Sequence, residues 1–229
     1  LKIINFYGAP MSSEDIIKMT KLFPKCNLIY SYGLTEASPR VTYIMGLDLL
    51  KKIGSSGIPI KNVKVEIANK ERDNSGEIVV SGPNVMLGYY NDVERTKKVI
   101  VDGKLYTGDY GYIDNDGYLY VFGRKDNMII SAGKNIYPEE IEDKLNNMPY
   151  ISESIVIEKE GKLVALIYPD FDLVNEEKIT DEKLDELMTA NLKEINQQLP
   201  AYSQLNTYKL YNEEFEKTPK RSIKRFLYQ

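Results

Sequence analysis

Apolar residues recur in three different rhythms along the 229 positions, and each rhythm predicts a different architecture. The first occupies 1–48. Residues 1–7, Leu-Lys-Ile-Ile-Asn-Phe-Tyr, form an apolar run closed by Gly8-Ala9-Pro10, a strand followed by a turn. Ser12 with Asp15 three residues later resembles a capping box, and Ile16, Met19 and Phe23 then fall at helical spacing until Pro24. Asn27-Leu28-Ile29-Tyr30-Ser31 is the next strand. Strand, helix and strand within roughly thirty residues predict a parallel βαβ unit.

The second rhythm, over 49–125, alternates short runs with Gly, Pro and Asn: Val63-Lys64-Val65-Glu66-Ile67, Gly76-Glu77-Ile78-Val79-Val80, Tyr118-Leu119-Tyr120-Val121-Phe122. Closely spaced strands of this kind predict a small antiparallel sheet or barrel, with Asp116-Gly117 as a hairpin turn. The third rhythm begins near Asp126. Tyr137-Pro138-Glu139-Glu140 starts a helix whose apolar stripe is Ile141, Leu145 and Met148. Glu160-Gly161 joins two strands. Leu184, Leu187, Met188, Leu192, Ile195 and Leu199 mark a long amphipathic helix that Pro200 stops. The expected fold is therefore α/β followed by α+β, with a domain boundary near Asp126. A chain that opens inside a core strand at Leu1 is expected to be the C-terminal piece of a longer protein, with an exposed apolar edge prone to aggregation.

Composition narrows the chemistry. No histidine is present, which excludes Ser-His-Asp and Cys-His catalysis and histidine-ligated zinc or iron. Cys26 is the single cysteine, so no intrachain disulfide can form and a reducing, cytoplasmic setting is the default. Thirty Lys and Arg against 34 Asp and Glu leave a net charge of −4, which gives no reason to expect nucleic acid as a partner. No apolar run approaches the ~20 residues of a membrane helix, so no integral membrane segment is expected.

Four stretches carry candidate chemistry. Ser31-Tyr32-Gly33-Leu34-Thr35-Glu36 directly follows a parallel strand, the end at which α/β proteins bind ligands. There Gly33 lets the backbone approach a phosphate, the Thr35 hydroxyl can bond its oxygen, and the Glu36 carboxylate can hold Mg²⁺; an ordinary capped loop is equally consistent. In Leu105-Tyr106-Thr107-Gly108-Asp109, the aspartate at a turn can accept both ribose hydroxyls or cap its own backbone. Arg124, in Gly123-Arg124-Lys125-Asp126, can join Asp109 at the sugar, and Gly133 further on can let a chain-like ligand pass; a polar interdomain linker is the alternative. In the basic run at 216–225, an extended backbone would project Lys220, Ser222 and Lys224 from one face as an anion site, or the run is a solvated tail.

Taken in this order, the motifs resemble those of the adenylate-forming, AMP-binding enzymes, which include acyl-CoA synthetases and peptide-synthetase adenylation domains. The resemblance rests on Tyr-Gly-Leu-Thr-Glu at 32–36, Gly-Glu-Ile-Val-Val-Ser-Gly-Pro at 76–83, Gly88-Tyr89-Tyr90, Tyr-Thr-Gly-Asp at 106–109 and Gly-Arg-Lys-Asp at 123–126, and it runs over nearly the whole chain. It implies that 1–125 is the end of a large AMP-binding domain, its βαβ part at 1–48 and its β-rich subdomain at 49–125, and that 126–229 is a mobile lid domain. It implies ATP·Mg²⁺-dependent conversion of a carboxylic acid to an acyl-adenylate, then transfer to a thiol, coenzyme A first among them.

By the same resemblance Gly8-Ala9-Pro10 and Tyr32 would sandwich adenine, with Gly33 beside them. Thr35 would bond phosphate, Glu36 would hold Mg²⁺, and Asp109 and Arg124 would grip the ribose. Asp126 would be the hinge and Gly133 would line the thiol tunnel. The family's phosphate loop lies upstream of Leu1, so this segment alone is expected to be inactive. The family's catalytic lysine falls at Ser222, leaving Lys220 or Lys224 to replace it. The ending at 214–228 is similar to that of long-chain fatty acid CoA ligases, which points to a fatty acid, whereas Ser38-Pro39-Arg40 is similar to ligases that load a carrier protein. A non-catalytic module that binds AMP or an acyl-adenylate is the other reading of Ser222.

Overall fold

The structure is a computed structural model that describes residues 1–8, 11–71, 74–131, 133–218 and 222–228. It divides into two units, Leu1–Asp126 and Asn127–Gln229.

The first unit opens with β1 (Ile3–Tyr7), α1 (Ser13–Leu22) and β2 (Asn27–Tyr32), and β1 and β2 pair in parallel. The Ser12 hydroxyl accepts the Asp15 N–H at 3.0 Å, an N-cap that fixes where α1 starts. Ile16 turns inward from α1 against Leu28 and Ile44. Then β3 (Thr42–Met45), the single turn α2 (Asp48–Lys51) and β4 (Ile58–Pro59) extend the sheet antiparallel, in the order β1-β2-β3-β4. Ile58 and Pro59 thus belong to the first sheet, although their sequence context places them with the β-rich run.

A second sheet follows, built from β5 (Lys64–Ala68), β6 (Gly76–Ser81), β7 (Ile100–Val101), β8 (Lys104–Ile113) and β9 (Leu119–Arg124), with α3 (Val93–Val99) before β7. All its pairings are antiparallel, in the order β5-β6-β8-β7, with β9 pairing the later part of β8 on the flank opposite β6. The β8–β9 hairpin turns at Gly117, φ +86°, where the Asp114 carboxylate accepts the N–H groups of Asp116 and Tyr118. Ile78, Val80, Leu105 and Leu119 from this sheet bury against Ala37 and Val41, so the loop after β2 is packed onto the second sheet.

The second unit begins with the short hairpin of β10 (Ile129–Ser131) and β11 (Lys134–Ile136), where the sequence suggests a loop or linker. After α4 (Pro138–Asn146), β12 (Ile151–Lys159) and β13 (Lys162–Pro169) pair antiparallel around Glu160 and Gly161, both at positive φ. Then come α5 (Phe171–Glu176), α6 (Asp181–Gln198) and β14 (Thr207–Leu210), which adds parallel to β13. Both faces of this sheet are covered. Val156, Ala165 and Ile167 bury under Ile141 and Leu145 of α4 and Met188 and Ile195 of α6. Ile155, Ile157 and Leu166 lie on the other side with Phe215, Tyr211, Ile223 and Tyr228 of the C-terminal segment.

The described ends of that segment pair with each other. Lys217 bridges Ile223, Thr218 N–H donates to the Ser222 carbonyl at 2.8 Å and Lys224 N–H to that of Glu216 at 2.8 Å, so it folds back as a hairpin. Lys220 lies outside the described residues, so the expected common face of Lys220, Ser222 and Lys224 is described only at Ser222 and Lys224. Among the described residues no helix is long and apolar enough to cross a membrane.

Candidate functional site

Tyr32 is the last residue of β2, and Tyr7 at the end of β1 pairs with Ser31. Gly8 and Tyr32 therefore sit together at the carboxyl ends of neighbouring parallel strands, where α/β sheets take ligands. Ala9 and Pro10 lie outside the described residues. Beyond Tyr32 the chain makes one 3-10 turn, Thr35–Ala37, passes through Ser38 at φ +48° and returns to pair Thr42 with Tyr32. This doubling back explains Gly33. A Cβ there would lie 1.7 Å from the Pro39 carbonyl oxygen, so the glycine is required by the loop's own backbone. The sequence offered close approach to a phosphate as the reason for this glycine; the loop's own path supplies a further one. Asn84 holds the same loop, donating to the carbonyls of Ala37 and Arg40 at 3.0 and 3.1 Å.

Asp109 does not sit at a turn. It lies within β8, where Val79 pairs with Tyr106 and Glu77 with Tyr110, so three residues at 107–109 stand opposite Ile78 alone. This bulge re-aims Asp109 out of the ladder, a use of bulges common beside binding sites. The Thr107 hydroxyl donates to the Ile78 carbonyl at 2.8 Å and accepts the Asp109 N–H at 3.0 Å. Across the strand pair, Arg124 stands opposite Asp109. Its Nη1 donates to Asp109 Oδ1 and to the Thr107 carbonyl, each at 3.0 Å, while the Tyr32 hydroxyl donates to Asp109 Oδ2 at 2.6 Å. Burial first, then the neighbouring Asp109 charge, push the Tyr32 phenol well above its ordinary range, so it remains a donor.

The structure thus brings Tyr32, Asp109 and Arg124 into one hydrogen-bonded group. Both Asp109 oxygens are thus oriented by fixed donors, Tyr32 on Oδ2 and Arg124 on Oδ1. Glu36 is held separately: its Oε1 accepts the Tyr89 hydroxyl at 2.8 Å, and its carbonyl accepts Met86 N–H at 2.9 Å. Tyr89 is anchored in turn by Thr96, and its ring lies 4.0 Å from the Arg95 guanidinium. Thr35 is exposed beside Glu36. Among the described residues no group of three or more metal-ligating side chains occurs. Glu36 fits a Mg²⁺ that keeps waters and takes its other ligands from phosphates, and does not fit a cation held by protein alone.

Three contributors escaped the sequence reading: Asn84, Tyr89 and Glu77. The tyrosine stands in a recognised motif, and its glycine neighbour was its only visible signal. Glu77 stands in the motif at 76–83, where by itself it reads as a charge inside an apolar strand.

In the second unit Gly133, at φ +71° with open space around it, turns between β10 and β11. Ser222 is exposed, its N–H donating to the Thr218 hydroxyl at 3.3 Å. Lys224 Nζ lies 2.9 Å from Glu216 Oε2, so its ammonium is engaged within its own hairpin. Lys220 lies outside the described residues. Asp126, highly exposed, ends the first unit with its carboxylate 4.0 Å from Arg124.

The AMP-binding enzyme pattern matches residues 1–90, and the AMP-binding enzyme C-terminal domain pattern matches 125–228. The chain belongs to the AMP-binding, adenylate-forming enzymes. It is 41% identical over 149 residues to a 2-succinylbenzoate--CoA ligase of Oceanobacillus iheyensis, an alignment covering 64% of this chain and 31% of that protein. With the Bacillus cytotoxicus protein of the same name the identity is 40% over 162 residues, 67% of this chain and 33% of the relative. The chain therefore spans about a third of the length of these curated relatives. Among solved structures, the o-succinylbenzoate CoA synthetase of Bacillus subtilis in complex with its acyl-adenylate intermediate superposes over 100% of this chain and 46% of its own, with TM-score 0.81 and 26% identity. The same enzyme with ATP and magnesium ion gives TM-score 0.79, 28% identity and coverage of 98% and 46%. These names correct the fatty-acid expectation drawn from the C-terminal segment: the curated relatives are named for an aromatic acid.

Proposed function

We propose that this chain is the C-terminal portion of an AMP-forming acid–CoA ligase acting on an aryl acid of the 2-succinylbenzoate type. The observation that carries the proposal is the grouping of Tyr32, Asp109 and Arg124, with both Asp109 oxygens oriented by fixed donors, in a chain about 40% identical to ligases of that name. In this reading Asp109 accepts the two ribose hydroxyls and Arg124 keeps it ionised and aimed. Tyr32, tethered through its hydroxyl, offers its ring to adenine along with Gly8 and the following Ala9 and Pro10. Thr35 bonds phosphate oxygen. Glu36, oriented by Tyr89, holds a magnesium ion that neutralises phosphate charge when bound. In the second unit Gly133 lines the path of the thiol, and Asp126 is the hinge at the junction. Coenzyme A is the acceptor in preference to a carrier protein, since the relatives are named as CoA ligases.

Ser222 favours a second reading, a module that binds an adenylate without forming one. Serine lacks the charge to bridge carboxylate and α-phosphate, and Lys224 is paired with Glu216. Acid-dependent exchange of labelled pyrophosphate into ATP, measured on the complete gene product, separates the two. Ligase function predicts exchange with aryl acids, and an increase of about tenfold or more in Ser222→Lys as the missing cation returns. Binding of AMP with no exchange from any acid in either protein would favour the module.

A further inference from the structure

The Glu77 carboxylate is buried in β6, its side chain 9% exposed, and has two partners. Oε1 accepts the Gly108 N–H at 3.2 Å, and Oε2 lies 2.9 Å from Lys125 Nζ. These partners lie on different segments. Gly108 is the middle residue of the bulge that re-aims Asp109, and Lys125 directly follows Arg124. One carboxylate thus ties the two segments that carry the acid and the base of the proposed ribose group.

The cost of placing it there sharpens the point. A carboxylate in an apolar strand loses hydration, and it is retained only where its bonds fix something. The strand interior offers Glu77 no apolar gain, since its neighbours Ile78, Val79 and Val80 already fill the core. Gly108 is held at φ +71°, a conformation open to glycine, and Arg124 Nη2 would lie 3.0 Å from a Cβ placed there. Without Glu77 the Gly108 N–H loses this acceptor and Lys125 this partner, and the bulge keeps its tie to β6 through Thr107 but loses the one that reaches the Arg124 segment. Asp109 and Arg124 would then lose their common frame.

We infer that Glu77 is a positioning residue for ribose recognition, acting through Gly108 on Asp109 and through Lys125 on Arg124. The inference rests on the reading that Asp109 and Arg124 bind the ribose of AMP, and the experiment separates the two. Dissociation constants for AMP and for 2′,3′-dideoxy-AMP are measured calorimetrically on the complete gene product and on Glu77→Ala and Glu77→Gln. Wild-type protein should prefer AMP, and equal binding of both nucleotides would overturn the ribose assignment itself. Given that preference, Glu77→Ala should lower it about tenfold while leaving dideoxy-AMP binding nearly unchanged, as expected for loss of one well-placed acceptor interaction. Glu77→Gln, which keeps one acceptor oxygen for Gly108 but not the attraction to Lys125, should be intermediate. A full preference in Glu77→Ala, or equal weakening of both nucleotides, overturns the role of Glu77. Should the alanine variant not fold, an unchanged preference in Glu77→Gln does the same.

Discussion

At Gly108 two demands meet on one residue: a backbone in the left-handed region, and a guanidinium lying where a side chain would begin. Alanine there would be strained by roughly 1–2 kcal/mol and would press on Arg124. Gly108→Ala is therefore expected to lower stability by about that amount and to weaken AMP binding about tenfold, more than the strain alone would produce in a site that tolerated it. Calorimetric titration beside urea unfolding checks both, and unchanged AMP affinity would show that Arg124 is not needed where it lies. This residue also shows where sequence legibility stops. Gly-Asp is a turn signal, and nothing local distinguishes a turn from a bulge. Only the pairing of β8 with β6 and β9, set by residues some 15 to 31 positions away, makes it a strand. Gly33 is similar: its need for a bare Cα was legible, but the Pro39 carbonyl that imposes it was not.

Elements were easier to find in the sequence where the signals are local. The Ser12 cap, the apolar spacing of α1 and α6, and the Glu160-Gly161 turn all rest on contacts within a few residues. The tail hairpin and the β10–β11 hairpin carry no such signal. In the second unit the junction of elements has a pH signature. Glu142 of α4 accepts the Val156 N–H of β12 at 2.6 Å and pairs with Arg225 of the tail, with Glu139 also near Arg225. Burial outweighs these partners and raises its carboxyl from 4.5 to about 7. Between those values the folded protein binds more protons than the unfolded chain, so stability falls as pH rises from about 4.5 to 7.

The absence of histidine leaves that window otherwise quiet. Glu66 acts below it with the opposite sign, since Lys64 and Lys104 hold it at about 2, and its contribution is lost only as pH falls below 4.5. Urea unfolding should give a stability lower at pH 7.5 than at pH 5 by roughly 1–3 kcal/mol, and Glu142→Gln should flatten that slope. A slope unchanged in the variant would assign it elsewhere.

At the scale of the molecule, the architecture follows from three rhythms of apolar residues, while the chemistry depends on motifs that meet only after folding. Tyr32 and Asp109 are 77 positions apart in sequence and 2.6 Å apart in space. Their kinship was legible through the motifs that carry them, but the identity of the acid was not, because no residue described in this chain has been placed against it. The C-terminal segment pointed to a fatty acid, whereas the two curated relatives described above are named for 2-succinylbenzoate. The most direct test supplies the complete gene product with ATP, Mg²⁺ and coenzyme A, together with 2-succinylbenzoate or dodecanoate, and identifies the products by mass. The account predicts the CoA thioester of 2-succinylbenzoate with AMP as the spent nucleotide. Formation of dodecanoyl-CoA in its place would contradict the assigned acid, and ADP as the product would contradict the assigned reaction.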